Sequence, residues 1–221
     1  KDIKLDLYNI EAPYNCFRAC SWRQQILDIY GINRWYLNVD SDELFHVDEK
    51  IEKYIDSISK DGRKSVKAIM IDVYSKKPIF ENKNIRDMEF VDSNTYKTEI
   101  NPFYGLRIYG GPRERVFGLK SSLQKIPLLY YTGNELIVND HFLFPKELNF
   151  VNISSVVFHY KFLPSSLSLY KNMAKSGVHW QDSKEYKKYL SAYEYDSNLS
   201  MFSKDSSIKI EDFRLSDIIP E

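Results

Sequence analysis

The sequence predicts an α/β fold with a mixed, mainly parallel sheet flanked by helices and further helices at the C-terminal end. Two observations carry this. Between Trp22 and Tyr74, apolar runs of strand length alternate with amphipathic helical stretches, and helical connections between apolar runs are the pattern of a parallel α/β sheet. The chain also has 221 residues, 43% of them hydrophobic and 28% charged, which is enough for one domain with a real core.

The elements follow in order. Trp22, Ile26, Leu27 and Tyr30 form one helical stripe, and Gly31 stops it. Trp35 to Val39 reads as a buried strand ending in the acidic turn Asp40-Ser41-Asp42. Ile51, Tyr54, Ile55 and Ile58 predict a second helix, with Asp48 as its N-cap and Gly62 past its end. Lys67 to Tyr74 is a second buried strand. Lys76 to Asn101 is polar, and is expected to be loop-rich with short strands. Tyr104 to Gly118 is expected to be a Gly- and Arg-rich loop, and Lys125 to Leu128 the start of a strand. Ser155 to Leu163 alternates, with Val156 and Phe158 facing one way and Val157, His159 and Lys161 the other. Leu167 to Ala174 and Lys184 to Tyr195 are expected helices, the latter with Asp182 and Glu185 at capping-box spacing. Residues 198–221 are Ser- and Asp-rich and are expected to form a loosely ordered tail.

Composition narrows the function classes. Basic and acidic side chains number 31 each, which argues against a dedicated nucleic-acid binder. No run reaches the length of a membrane span, so a cytoplasmic protein is expected, with peripheral membrane contact left open. Cys16 and Cys20, the only cysteines, have no nearby His and read as reduced thiols. Seventeen Tyr and thirteen Phe fit either aromatic packing or a surface that stacks on sugar rings.

Several residue sets can carry chemistry. Asp40 and Asp42 stand two positions apart at a strand end, where open α/β sheets bind ligands. Two such carboxylates can reach one hard cation, Mg²⁺ or Mn²⁺, that also touches substrate phosphates; a solvated cap of the following helix has the same pattern. His159 lies in a strand beside Lys161, and either packs in the core or joins a mixed His and carboxylate set favouring Mn²⁺. His141 is a second such histidine. Gly110-Gly111-Pro112-Arg113-Glu114-Arg115 combines close backbone approach with two guanidinium forks suited to phosphate. Asp72 is a carboxylate in an apolar run, and so belongs to a structural network or acts as an acid or base. Trp180 follows His179 and is a core ring or a sugar platform.

Taken in order, these pieces resemble bacterial family-2-like glycosyltransferases. The resemblance rests on Arg34 to Phe45 (RWYLNVDSDELF), Ile71-Asp72-Val73-Tyr74, Tyr109 to Arg115, Lys125 to Leu128, His159-Tyr160-Lys161-Phe162, and His179-Trp180 followed by Glu185-Tyr186. It implies a GT-A fold, a nucleotide-sugar donor, a saccharide or glycolipid acceptor, and inversion at the anomeric carbon in surface polysaccharide or lipopolysaccharide synthesis. It also implies a divalent cation, Mn²⁺ or Mg²⁺, on Asp40, Asp42 and His159. The candidate base is Asp72, with Glu114 the alternative. Arg113, Arg115, Lys161, His141, Gly110 and Gly111 would hold the diphosphate or acceptor. Such enzymes begin with a strand–helix–strand unit for the nucleotide base, which residues 1–14 are too short to form. The expectation is one catalytic domain over residues 1–197, N-terminally incomplete: either the protein is longer than this chain, or the donor pocket is not complete. A metal-dependent phosphoesterase on the same residues and a non-catalytic carbohydrate-binding module are the competing readings.

Overall fold

The computed structural model describes residues 6–12, 14–102, 105–139 and 141–218; the side chain of Trp180, and the platform role considered for it, also lie outside the described residues. The first helix, α1, spans Cys16–Tyr30. Asn15 caps it by accepting from the Phe17 N–H (2.9 Å), and Gly31 ends it at φ 90°. Its Leu27 packs on Ile126, Leu129 and Tyr131. Cys16 and Cys20 are free thiols on this helix.

Strand β1 (Arg34–Leu37) leads into the acidic turn, and β2 (Glu43–His46) leads out of it. Helix α2 (Ile51–Lys60) begins after Lys50 rather than at Asp48, and buries Tyr54 and Ile58 against Val66 and Leu128. Strand β3 (Ser65–Asp72) is buried at every position. Then come β4 (Phe90–Asp92), the hairpin of β5 (Tyr96–Asn101) and β6 (Gly105–Gly110), and helix α3 (Gly111–Phe117). The stretch expected to be a Gly- and Arg-rich loop is therefore a strand running into a short helix. Strand β7 (Gln124–Tyr131), the hairpin of β8 (Leu136–Asn139) and β9 (Phe142–Phe144), and β10 (Ile153–His159) follow. Helices α4 (Ser166–Ser176) and α5 (Trp180–Tyr195) and strand β11 (Ser207–Lys209) complete the order.

The molecule is mixed α/β, but its main sheet is not mainly parallel. Its order is β1-β7-β3-β10-β2, and only β3 and β10 pair in parallel. The other three pairings are antiparallel. The reason is long-range: β7 inserts between β1 and β3, which helical connections had suggested as neighbours. Strand β1 thereby becomes an edge, half-buried at Trp35 and Tyr36 and exposed at Leu37, not the buried strand expected. Strand β10 is covered on both faces, so its alternation does not separate a wet side from a dry one.

This order has a consequence for the acidic turn. Strands β1 and β2 lie at opposite edges of the sheet. Leu37 pairs with Leu128, which pairs with Val66 near the start of β3, whereas Glu43 pairs with His159, which pairs with Asp72 at its end. The turn therefore runs from beside β7, where Asn38 N–H donates to the Pro127 carbonyl (2.7 Å), to the carboxyl ends of β3 and β10, where Tyr160 N–H donates to the Asp42 carbonyl (2.8 Å).

The aromatic richness is largely packing. Phe80, Phe117, Phe162, Tyr170 and Tyr189 share one buried cluster between α3, α4 and α5, mostly edge to face. Residues 198–218 are no loose tail. Strand β11 pairs with β4, and Met201, Phe213 and Ile218 are buried.

Candidate functional site

Strands β3 and β10 end in register, with Asp72 paired to His159. Their side chains meet: His159 Nδ1 lies 2.7 Å from Asp72 Oδ1. The other oxygen of Asp72 accepts from Arg113 Nε at 2.6 Å. Asp72 is 2% exposed and Arg113 3%. Burial alone would raise the Asp72 pKa, but Arg113 and His159 hold it below the usual carboxylate value. Across the ring, His159 Nε2 lies 3.4 Å from Asp42 Oδ2. His159 thus stands between two carboxylates, one at each nitrogen.

Asp42 is the open end of this chain, its side chain 40% exposed. Burial works to raise its pKa, but His159 and Lys161 prevail and lower it to about 2. Asp40 is held differently. Arg23 donates to one of its oxygens (2.6 Å) and Lys125 to the other (2.9 Å). Lys125 also bonds Glu43, whose second oxygen accepts the Asp40 N–H at 3.0 Å. A small hollow beside Asp40 is lined by Arg23, Asn38, Lys125, Ile126 and Pro127.

Helix α5 adds Glu185. It pairs with Lys161 (3.2 Å) and, more loosely, with Arg113 Nη1 (3.6 Å), and accepts from the Tyr189 hydroxyl. Lys161 lies 5.4–5.9 Å from the ring centres of Tyr170, Tyr186 and Tyr189. Burial would strip its proton, yet Glu185 raises its pKa and keeps it charged. Five carboxylates (Asp40, Asp42, Glu43, Asp72, Glu185) thus face four fixed cations (Arg23, Arg113, Lys125, Lys161).

The fold brings together Asp40, Asp42, Asp72, Arg113, His159 and Lys161. His141 is adjacent. Its Nδ1 donates to the Gln124 carbonyl (2.6 Å), and burial, then Lys125 and Arg113, lower its pKa. Four expectations are corrected. Arg115 does not face the centre; it clamps Asp92 through Nε and Nη2 (3.0 and 2.7 Å) and also donates to the Met201 carbonyl. Glu114 pairs with Lys97 of β5 at 3.1 Å. At Gly110 an added Cβ would stand 2.3 Å from the Thr95 carbonyl oxygen, and at Gly111 2.9 Å from the Tyr96 ring. Their close approach is to β5, not to a ligand. Asp72 is enclosed with both oxygens committed, so it orients His159 and cannot meet an acceptor hydroxyl as a base.

Sequence reasoning missed Arg23, Lys125 and Glu185 as site residues, and Glu43 as more than part of a motif. Glu185 was read as half of a capping box with Asp182, but its carboxylate turns to Lys161 and Arg113 instead. The signal in reach was the placement of Glu43 directly after the acidic turn.

Among the described residues no group of three or more His, Cys, Asp or Glu side chains is arranged to hold a metal ion. Asp42 Oδ2 and His159 Nε2 lie 3.4 Å apart, while both oxygens of Asp40 are held by Arg23 and Lys125, so a cation here would rest on Asp42 and His159 alone, with the rest of its shell supplied from outside the protein. Also among the described residues, no helix is long and apolar enough to cross a membrane. Comparison with protein-family models, with curated proteins and with solved structures gave no match.

Proposed function

We propose that this chain carries the metal- and diphosphate-binding centre of a glycosyltransferase of the GT-A type, moving a sugar from a nucleotide-sugar donor to a saccharide or glycolipid acceptor with inversion. One observation supports this above the rest. The Asp40–Asp42 turn ends at the carboxyl ends of β3 and β10, the one parallel pair of the main sheet, where Asp42, His159, Lys161, Arg113 and Glu185 converge. Ligands of α/β sheets sit beyond the carboxyl ends of parallel strands.

In this reading Asp42 and His159 would hold the divalent cation with the donor phosphates, and Asp40 would steady the turn between Arg23 and Lys125. The cation supplies positive charge against the departing diphosphate. Lys161 adds to that charge, and Arg113 does so from behind it. Asp72 fixes the His159 ring. The acceptor oxygen bonds to the anomeric carbon as the carbon–oxygen bond to diphosphate breaks, the electron pair leaving with diphosphate. The hydroxyl proton passes to a carboxylate that solvent reaches. Glu185, which does not ligate the divalent cation in this reading and keeps its side chain 31% exposed, qualifies.

Calorimetric titration of UDP, GDP and CDP with Mn²⁺ tests the reading. At least one should bind, and binding should vanish in EDTA and in Asp42→Ala with the circular dichroism spectrum unchanged. If none of the three binds in a metal-dependent way, the reading falls.

A further inference from the structure

Beside the acidic turn runs a row of rings that meets the charge network only at Tyr186, whose ring centre lies 5.4 Å from Lys161 Nζ. Tyr14, just before α1, stacks on His179 at 4.9 Å between centroids and 28° between planes. His179 in turn meets Tyr186 of α5 at 4.8 Å. The row brings together segments more than 160 residues apart in sequence, so it is a product of the tertiary fold and not of one amphipathic helix. Tyr14 keeps 42% of its surface exposed although one face is covered by His179. It lies within electrostatic reach of Arg23 and Asp40, and Tyr186 within reach of both Asp40 and Asp42. The row therefore ends at the proposed reaction centre.

We propose that Tyr14, His179 and Tyr186 form a shelf that binds a neutral hexopyranose, the acceptor sugar in the reading above, on which this assignment of role rests. A pyranose has an apolar C–H face and a rim of hydroxyls, and the shelf matches both. An aromatic ring covers the C–H face. Arg23, within electrostatic reach of Tyr14, and Asp42, within reach of Tyr186, would serve as hydroxyl partners. The phenols remain protonated: burial, then neighbouring groups, raises the Tyr14 and Tyr186 pKa values. Burial, then Lys161, lowers that of His179. Neutral rings between cations (Arg23, Lys161) and carboxylates (Asp40, Asp42) carry no net charge toward a ligand and suit an uncharged sugar. The rings form a step, tilted by 28° and 57°, and not the parallel slot that sandwiches a nucleobase.

Saturation-transfer NMR in EDTA, with maltose, cellobiose and lactose as probes and uridine as comparator, tests the shelf. Saturation should reach the ring C–H protons of the disaccharides. It should fall by about threefold or more in Tyr14→Ala, where an aromatic contact is lost, and persist in Tyr14→Phe. Tyr14 is exposed and outside the core, so the variant should keep the wild-type circular dichroism. His179→Ala, which removes the ring's support, should weaken the signal as well. No transfer to any of the three sugars, equal transfer in wild type and Tyr14→Ala, or transfer to uridine alone would overturn the proposal. Because EDTA is present throughout, sugar binding is judged apart from the metal-dependent nucleotide titration, and either proposal can fail while the other stands.

Discussion

At the scale of single residues, the centre is governed by what burial demands of charge. Asp72 and Arg113 are both nearly inaccessible, and each is the other's closest charge partner. Removing Asp72 leaves Arg113 buried with only the looser contact to Glu185, at 3.6 Å. Asp72→Ala should therefore destabilise the protein by about 3–5 kcal/mol. Asp72→Asn, whose amide oxygen can still accept from Arg113 Nε, should cost less. Asp72→Ala combined with Arg113→Met should recover part of the loss. Urea denaturation midpoints measure all three, and a double variant no better than Asp72→Ala would show that Arg113 is not left stranded. Much of this residue set could be read from sequence. A carboxylate in the apolar run before Val73-Tyr74 must have a partner, and the Asp40–Asp42 spacing marks a turn with a purpose. The partners themselves could not be read. Arg23, Lys125 and Glu185 come from a helix, a distant strand and a C-terminal helix, and no local pattern links them. For the same reason Arg113 and Arg115, two positions apart and alike in sequence, part company in the fold: one faces Asp72 and the other Asp92.

At the scale of elements, local signals located most helices and strands, while pairing decided their roles. Gly31 ends α1 and Gly62 follows α2 as expected from their sequence positions. The Gly110-Gly111 pair was read as a phosphate approach, yet it makes the tight junction of β6 and α3 against the start of β5. Gly110 has φ 108° and ψ −138°, a conformation closed to other residues. A comparison isolates the contact from the strain. Gly31 also has a positive φ, 90°, but an added Cβ there meets nothing within 4 Å, whereas at Gly110 it would stand 2.3 Å from a backbone oxygen. Each Ala substitution carries backbone strain of about 1–3 kcal/mol, and only Gly110→Ala adds a collision that backbone must move to relieve. Gly110→Ala should be clearly the more destabilising of the two in urea denaturation. Equal losses would mean that β5 does not press on this junction.

At the scale of the whole molecule, the sheet order and the C-terminal segment were the least legible features, because both depend on contacts between distant segments. Strand–helix–strand succession suggested parallel neighbours, but nothing local to β7 announces that it will insert between β1 and β3. Likewise the Ser- and Asp-rich composition after Ser197 hides three apolar anchors spaced too widely to form a periodic pattern. Met201 closes the aromatic cluster around Phe162 and Tyr189, while Phe213 and Ile218 complete the cluster around β3 and β10. The segment also gives β4 its partner strand and supplies the Met201 carbonyl that Arg115 holds. Fully burying a large apolar side chain stabilises by about 1.5–3 kcal/mol, so the three anchors together contribute about 5–9 kcal/mol. Total stability of a domain is only about 5–15 kcal/mol. A chain ending at Ser197 loses those anchors, leaves Asp92 and Arg115 at an opened surface, and strips one side of the core behind Asp72 and His159. Residues 1–197 should therefore show no cooperative thermal transition by circular dichroism, whereas the chain through Glu221 should unfold in one. A native near-ultraviolet spectrum and sharp melting in the shortened chain would mean that the core closes without its last strand and that the site is built by the first 197 residues alone.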